Sequence, residues 1–291
     1  IGRLPGVALQ RSGGEGNKVV VRGLSPQFTI IEVDGVRLSG TDNNRSVGLS
    51  TLSTDILDGI ELSKSLTADK DADAIGGVIN LRTRVAQEGF HFNVATYGSY
   101  NSMEQNYNNY KVTANIGNRF FENKLGLLLD VGSERATRSA DKFSGSYDPE
   151  GPLQEHYTLG ATINETKTIR YRQNGSCVLD YKNDFLKIKF KNSYSQKTDD
   201  TEERINSFDF DDSKFKLNAA TIDPVEKIQS HLLSSEFKIF NTKLDINLSY
   251  SRSNREREKD LYRIEDYNIV YDVYPQGIGL GELKYVQPSV L

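Results

Sequence analysis

The stretch Asp71–Arg84, "DADAIGGVINLRTR", places two adjacent glycines directly before a run of apolar residues. Val78–Thr83 has the length and the β-branched composition of a strand. A glycine pair beside a strand indicates positive φ angles or a close approach between backbones. Taken alone, the stretch favours a β-bulge in an ordinary sheet. The surrounding sequence therefore decides what fold this strand belongs to.

The overall composition excludes several classes of protein. Lys and Arg number 36 against 40 Asp and Glu, so the basic excess of a general nucleic-acid-binding protein is missing. The single cysteine, Cys177, allows neither a disulfide framework nor a cysteine metal site. No apolar run approaches the roughly 20 residues of a membrane-spanning helix. No signal peptide is visible at the start of the chain, so an exported protein would carry its signal upstream of Ile1.

The chain divides near Arg84 into two parts that differ in composition and in the pattern of apolar residues. Before it, short β-branched runs bounded by Gly, Asp or Asn predict a small α+β unit, with a short helix within Ser50–Ile60 after a Ser or Thr cap. After it, apolar and polar residues alternate, which predicts strands with one apolar and one polar face. The alternating segments are Phe90–Ala95, Val112–Gly117, Leu125–Val131, Tyr171–Tyr181, Leu186–Lys191, His231–Phe240 and Leu244–Ser251.

Two architectures fit these strands: a soluble antiparallel sheet with one face on a core, and a transmembrane barrel with an apolar outer face. The strand length, about ten residues, favours the barrel. The connections do so as well, because tight turns at 122–124, 182–184 and 241–242 alternate with long loops predicted at 138–167 and 197–225. Aromatic residues are predicted at the membrane boundaries: Phe120, Phe121, Tyr181, Phe185 and Phe240 near the tight turns, and Tyr100, Tyr194 and Tyr250 at the far strand ends.

Five elements of the first part resemble, in order, the plug domain of TonB-dependent outer-membrane transporters. They are Leu4–Val7 "LPGV", Val19–Gly23 "VVVRG", Val33–Val36 "VDGV", Glu61–Ser65 "ELSKS" and Ala74–Arg84 "AIGGVINLRTR". The matching motif residues are Pro5, Gly6, Gly23, Asp34, Gly35, Glu61, Gly76, Gly77 and Asn80. Many members have Gly-Pro after the lysine where this chain has "SLTADKDAD", a variant that resembles a branch common among Bacteroidetes.

The resemblance implies a fold and a domain organisation. Residues 1–84 are expected to form the plug domain, with its N-terminal part missing, and residues 85–291 the N-terminal portion of an antiparallel transmembrane β-barrel. Seven strands leave two unpaired sheet edges, which hydrocarbon does not tolerate, so a partial barrel is predicted. The full protein of this family is expected to have about 22 strands. Val78–Thr83 becomes the last plug strand, and Val85–Gly89 the link to the barrel.

The resemblance also implies a function. The expected protein is a TonB-energised transporter of the Gram-negative outer membrane that imports an external ligand into the periplasm. The ligand class stays open between siderophore, glycan and peptide. Expected partners are a TonB-type energy-transducing protein, outer-membrane lipid and a surface lipoprotein, with no nucleic acid and no cofactor. The alternative is a β-barrel surface adhesin or outer-membrane assembly component without transport.

Candidate functional residues come from the same family resemblance and from a cluster of acidic residues. Arg22 and Lys64 match basic residues of the family's plug. The resemblance implies that they pair with barrel carboxylates and so hold the plug in place, an arrangement called here the plug lock. The alternative is that both are ordinary surface cations. The second long loop is acidic and is predicted to face the ligand, against the alternative of a solvated surface. Its acidic residues are Asp199, Asp200, Glu202, Glu203, Asp209, Asp211 and Asp212.

No catalytic or metal site is expected, and the protein is predicted not to be an enzyme. The segment Asp69–Ala74, "DKDADA", imitates the start of a calcium loop. It has Ala74 where such a loop needs glycine and Asn80 where it needs glutamate, so a solvated acidic turn is favoured. The three histidines, His91, His156 and His231, share no motif.

Overall fold

The computed structural model describes residues 2, 4–12, 15–40, 46–52, 54–64, 73–102, 104–147, 158–210, 214–240 and 242–268, with side chains up to 261. Fourteen strands lie within these ranges. Their bounds are β1 Val7–Ser12, β2 Glu15–Val21, β3 Thr29–Val33, β4 Val36–Arg37, β5 Leu57–Ser63, β6 Gly77–Thr83, β7 His91–Asn101, β8 Asn106–Phe120, β9 Leu125–Thr137, β10 Ala140–Tyr147, β11 Thr158–Lys182, β12 Leu186–Asp209, β13 Lys214–Ile239 and β14 Thr242–Asn268.

The N-terminal segment, β1 to β6 with their connections, contains a hairpin and a four-stranded sheet. The hairpin pairs β1 with β2, and the sheet has the order β4-β3-β6-β5. β3 and β6 are parallel, whereas β5 pairs with β6 in the antiparallel sense. Both faces of β6 bury apolar residues, because Val78 packs with Ile30 and Ala74 in one cluster whereas Ile79 and Leu81 belong to another. Val78, Ile79 and Leu81 are all nearly inaccessible to solvent.

The short helix predicted within Ser50–Ile60 is wrong. Leu49–Thr51 forms a single 3-10 turn without a side-chain cap, and β5 begins at Leu57. The hydroxyl of Thr51 donates to Glu226 of β13 instead of capping the turn. Pairing with β6 satisfies the backbone of β5 and places Leu57, Ile60 and Leu62 against the core. Tertiary pairing therefore overrides the local helix signal.

The glycine pair before β6 is required by close packing between backbones. Gly77 has φ +136°, and a Cβ there would lie 2.7 Å from the carbonyl oxygen of Ser63. A Cβ on Gly76 would lie 3.0 Å from Thr29 Oγ1 and 3.1 Å from the Phe28 carbonyl oxygen. A side chain at either position would push β6 away from its neighbours. The pair thus lets β6 enter between β3 and β5.

The core of the N-terminal segment includes one residue of a distant strand. Val19, Val21, Ile31, Val33, Leu38, Val47, Ile79 and Leu81 form one buried cluster, and Ile228 of β13 belongs to it. Burial of a side chain of this size contributes about 1.5–3 kcal/mol. The N-terminal segment is therefore held against β13 by apolar contact as well as by the polar contacts described below.

The remaining strands form an antiparallel sheet with the order β14-β13-β12-β11-β9-β8-β7, and β10 pairs with β11 outside this path. Each of the seven predicted alternating segments falls on one strand of the path, except that Phe90 lies just before β7 and Phe240 just after β13. By internal contacts the chain forms two compact units, residues 1–137, 170–199 and 224–257 in one and 138–169, 200–223 and 258–291 in the other. The second unit contains the β10–β11 hairpin and the ring contacts of Phe208 with Phe210 and Phe215.

The long loops predicted at 138–167 and 197–225 are wrong where the structure describes them. β10 and the first part of β11 occupy much of the first segment, and β12 and β13 run through most of the second. Tyr194 and Tyr250 consequently lie within strands rather than at their ends. These stretches carry polar residues on both faces, so the alternating apolar signal ends although cross-strand hydrogen bonding continues.

The outward face of the large sheet is apolar and exposed. Leu248 and Val131 are 63% and 60% accessible, and Phe92, Val94, Ile116, Leu129, Leu244 and Ile246 are exposed with them. Phe121, Phe185 and Phe240 are exposed beside the tight turns, as predicted. Among the described residues, no helix combines the length and the apolar character needed to cross a membrane.

Candidate functional site

Four predicted motif residues meet at one end of the small sheet. Asp34 and Gly35 form the turn between β3 and β4 with φ angles of 51° and 83°. The Gly35 amide donates to Asn80 Oδ1 at 2.9 Å, and Asn80 Nδ2 donates to Glu61 Oε2 at 3.1 Å. Hydrogen bonds from Arg82 and then Asn80 lower the pKa of Glu61 below its ordinary value. These motif residues thus form one hydrogen-bonded network that fixes β3, β5 and β6.

Three more motif residues, Pro5, Gly6 and Gly23, lie at the open end of the β1–β2 hairpin. Gly6 and Gly23 both have positive φ, 74° and 73°, in the turns that flank the two strands. The carbonyl of Gly6 accepts a hydrogen bond from the Arg22 amide at 2.9 Å. Pro5 is exposed next to this contact. Their role in the structure is to set the path of the chain into and out of the hairpin.

Arg22 lies just beyond the end of a strand. β2 ends at Val21, and Arg22 follows in a turn with φ 55° and an exposed side chain. Lys64 is half-buried, and its ammonium lies beside Gly6. Within the described ranges, neither residue forms an ion pair with a carboxylate of the large sheet. Their pairing with barrel carboxylates stays a prediction.

A different residue of the N-terminal segment makes the strong contacts with the large sheet. This residue is Glu15, the first residue of β2. Its carboxylate accepts from Arg170 Nη1 at 2.5 Å and from Arg172 Nη2 at 2.8 Å, both on β11. Arg170 also forms two parallel bonds to Asp199 of β12, at 2.6 and 2.9 Å. Arg172 Nη1 donates to Glu134 of β9 at 2.9 Å. Glu15 is therefore placed between two arginines that the sheet itself orients.

The pairing continues along the sheet through β12, β13 and β14. Lys197 Nζ lies 3.0 Å from Glu226 Oε2 and 3.9 Å from Asp199 Oδ2. Glu226 also contacts Arg255 Nε at 3.4 Å and accepts from Thr51 Oγ1 at 2.6 Å. Charges of opposite sign alternate through eight side chains, which we call the ion chain: Glu134, Arg172, Glu15, Arg170, Asp199, Lys197, Glu226 and Arg255.

Ser50, in the 3-10 turn, adds neutral hydrogen bonds to the same interface. Its carbonyl accepts from Arg172 Nε at 2.8 Å, and its hydroxyl accepts from Lys197 Nζ at 3.2 Å. A polar cavity of about 190 Å³ lies beside these groups, lined among others by Glu15, Ser50 and Arg170. Four of the eight members of the ion chain are buried, so their charges are screened less by salt than those of surface pairs. The interface is polar, and its charges neutralise one another.

Further ion pairs join the N-terminal segment to the strands. Lys191 Nζ of β12 lies 2.7 Å from Asp34 Oδ1 and 3.1 Å from Thr83 Oγ1. Lys111 Nζ of β8 lies 2.7 Å from Asp55 Oδ1. Motif residue Asp34 thus has two roles, closing its own turn and binding a lysine of the large sheet.

The link after β6 is also attached to the strands. Arg119 of β8 donates to the carbonyl oxygen of Ala86 at 2.8 Å and forms a buried ion pair with Asp180 of β11. Ala86 itself packs in a small buried cluster with Leu128 and Val178. The C-terminal end of the N-terminal segment is therefore anchored to the sheet by a desolvated arginine.

The acidic residues predicted as a ligand-facing loop have a different setting. Asp199 is buried and paired with Arg170, and Asp200, Glu202, Glu203 and Asp209 lie on β12 rather than on a loop. Glu203 accepts a hydrogen bond from Asn164 at 2.9 Å. Asp211 and Asp212 lie outside the described residues, as does most of the "DKDADA" segment. Asp73, its last acidic residue, pairs with Arg37 at an exposed position.

Glu15, Arg170, Arg172, Lys197 and Glu226 were missed by sequence reasoning. The sequence does contain a pattern for four of them, all except Glu15. In "RYR" at 170–172 and "KTD" at 197–199, two charged residues stand two positions apart, so both side chains point to the same face of the strand. Glu226 follows the same alternation along β13, where every second residue from Ala220 to Ser230 is buried. Nothing in the sequence around Glu15 indicates that it contacts β11.

Comparison with known proteins agrees with this organisation. Residues 1–78 match the family model of the TonB-dependent receptor plug domain. The N-terminal segment therefore corresponds to a TonB-dependent receptor plug domain, and the antiparallel strands of the large sheet follow it. We refer to β1–β6 as the plug from here on.

Solved structures of siderophore receptors are similar to this chain at low identity. The receptor PirA from Acinetobacter baumannii is 12% identical with a TM-score of 0.38, over 93% of this chain and 56% of that chain. The pyoverdine receptor FpvA from Pseudomonas aeruginosa is 14% identical with a TM-score of 0.40, over 98% and 48%. The receptor PiuA from Acinetobacter baumannii is 17% identical with a TM-score of 0.36, over 88% and 42%. The chain thus spans about half the length of these proteins, and they are too distant to assign its ligand.

Proposed function

We propose that this chain is the plug and the first barrel strands of a TonB-energised outer-membrane transporter that imports an external ligand into the periplasm. Residues 1–84 would be the plug and residues 85–291 the first strands of the barrel. The protein would act as a receptor and transporter of a Gram-negative bacterium, not as an enzyme. Its partners would be outer-membrane lipid, a TonB-type energy-transducing protein, a surface lipoprotein and the ligand.

One observation carries the proposal: the plug is packed on the polar face of a sheet whose opposite face is apolar. Glu15, Ser50 and Thr51 bind charged groups on β11, β12 and β13, whereas Leu248 and Val131 are exposed on the other side. An apolar outer face and a polar inner face are the pattern of outer-membrane barrels. A domain held inside by hydrogen-bonded charges is one that a mechanical or conformational signal can release.

The ligand is proposed to be a siderophore, a glycan or a peptide. Siderophore receptors are the solved proteins named above, and the low identity leaves the three classes open. The competing function, an adhesin or assembly component, requires no movement of the plug. The two functions are therefore separated by whether plug movement and energy coupling are needed.

The test is uptake by cells that express the full-length protein. A ferric siderophore, an oligosaccharide and a peptide would be supplied as labelled probes to strains with and without the TonB partner. In a Cys177→Ser background, a bis-maleimide cross-link between Asp55→Cys and Lys111→Cys would fasten the plug to β8. We expect uptake of one probe, lost without TonB and lost on cross-linking, with each single-cysteine variant as a control. Surface binding without uptake of any probe would support the adhesin and overturn the transporter.

A further inference from the structure

The position of Glu15 between Arg170 and Arg172 resembles that of a bound ligand. Each oxygen of the carboxylate accepts from a different guanidinium, at 2.5 Å from Arg170 and 2.8 Å from Arg172. The two arginines are two residues apart on β11 and so point to the same face of the strand. A planar carboxylate or a phosphate held by two guanidinium groups is the arrangement that arginine recognises best.

The strands hold both arginines in place without help from Glu15. Asp199 orients Arg170 through two parallel hydrogen bonds, and Glu134 binds Arg172. Each of these partners lies on the large sheet, on β12 and β9. Removing the carboxylate of Glu15 therefore leaves two N–H groups, one from each arginine, directed at the same position. The site is preorganised, so little conformational freedom is lost when an anion binds.

Charge favours replacement of Glu15 by another anion. The ion chain contains four cations and four carboxylates, so without Glu15 it has four cations against three carboxylates, a net charge of +1. The side chains of Arg170 and Arg172 are only 12% and 8% accessible. An uncompensated charge at such a buried position is costly, which creates a strong preference for an anion.

The site also has room for a ligand. The cavity of about 190 Å³ is lined by both Glu15 and Arg170, together with Lys197 and Arg255. At roughly 30 Å³ per water molecule, this volume accommodates a small anion with part of its hydration shell. Lys18 is a third further cation at the cavity wall, and Asp199 and Glu226 are its other carboxylates. Without Glu15 the wall therefore carries four cations against two carboxylates, which favours a negatively charged ligand.

We propose that Arg170 and Arg172 form an anion-binding site for a carboxylate or phosphate group, and that Glu15 is its internal ligand while the plug is seated. This proposal deepens the proposed function and rests on it in one respect: movement of β2 during transport would expose the two arginines to an anionic group of the passing ligand. Competition between that group and Glu15 would then oppose reseating of the plug until the ligand has left.

The test uses the full-length protein in detergent and needs no transport. Glu15→Ala removes the internal carboxylate, and hydrogen exchange across Glu15–Val21 reports how firmly β2 is seated. We expect exchange faster than in the wild type by on the order of tenfold or more, because the variant loses the hydrogen bonds from both Arg170 and Arg172. Acetate or phosphate should slow it again in a saturable manner, whereas chloride at the same ionic strength should not. Acetate and phosphate compared side by side identify which anion the site prefers.

Two matched variants keep the proposal falsifiable. Adding Arg170→Gln to Glu15→Ala should abolish the anion effect, and Glu122→Ala, which removes a carboxylate from the exposed Lys124, should show none. If Glu15→Ala does not assemble, Glu15→Gln is titrated in the same way. An anion response equal to that of chloride, or unchanged by Arg170→Gln, overturns the site. Because uptake is not measured, a failure here leaves the transporter function standing, and a failed uptake experiment leaves this binding result standing.

Discussion

Glu15 and Arg172 are separated by 157 positions in the chain, yet their side chains meet at 2.8 Å. Arg172 uses its other donors for Glu134 of β9 and for the carbonyl of Ser50. One guanidinium thus connects two strands of the large sheet with two separate places in the plug. The seating of the plug depends on this residue more than on any single apolar contact, because its loss leaves several buried polar groups without a partner.

Truncation of this arginine is expected to loosen the plug. Arg172→Ala should weaken plug seating by about 3–5 kcal/mol, as for a buried ion pair that loses one partner. Hydrogen exchange across Glu15–Val21 measures the effect in the full-length protein. Lys124→Ala, which breaks the exposed pair with Glu122, should leave the exchange rate nearly unchanged, because a solvent-exposed ion pair contributes little to stability. Equal effects of the two variants would contradict the importance of the ion chain.

The glycine pair provides a backbone test. Gly77→Ala should destabilise the plug by about 2–3 kcal/mol, because φ +136° is unfavourable for alanine and the new Cβ would meet the Ser63 carbonyl at 2.7 Å. Gly59→Ala is the matched control, since a Cβ there has nothing within 4 Å. Limited proteolysis of the plug in detergent would rank the two variants. A tolerated Gly77→Ala would show that β6 has more freedom than the close contact indicates.

Membrane residence is tested on β14. Leu248 is 63% accessible on the apolar face, and Asn247 points to the opposite face by alternation. Leu248→Arg should cost roughly 2–4 kcal/mol if this position lies near the bilayer midplane, whereas Asn247→Arg should be tolerated. Assembly of the full-length protein into outer membranes, followed by heat-modifiability on gels, gives the comparison. Similar losses for both variants would exclude a lipid-facing outer surface.

The Glu61 network should depend on pH. Hydrogen bonds from Arg82 and Asn80 lower the pKa of Glu61 in the folded protein. A carboxyl group with a lowered folded pKa contributes stability above its unfolded pKa, and this contribution is lost as pH falls through the folded value. The stability difference between the wild type and Glu61→Gln should therefore be constant near neutral pH and shrink in acid. A difference that grows on acidification would contradict the assigned direction.

Much of the fold was predictable because its signals are local. Alternation with a period of two located seven strands of the large sheet, since it needs only that one face be apolar. The glycine pair and the "DG" turn were recognisable because Gly35 and Gly77 adopt φ angles that other residues rarely do. These features follow from the backbone of a few consecutive residues. They were sufficient to indicate a plug followed by barrel strands.

The tertiary structure alone decided which charges meet. Arg22 was selected from a motif, but its turn leaves it exposed, whereas Glu15 in an unremarkable stretch reaches Arg170 and Arg172. The same holds for Thr51 and Glu226, which are 175 positions apart. Alternation indicates that charges such as those of "RYR" at 170–172 share one strand face, but a charge pair requires neither a period nor a special φ angle, so the sequence does not indicate which charges meet. Its partners are brought together only when the plug packs against the strands, and burial then makes the pairing energetically decisive.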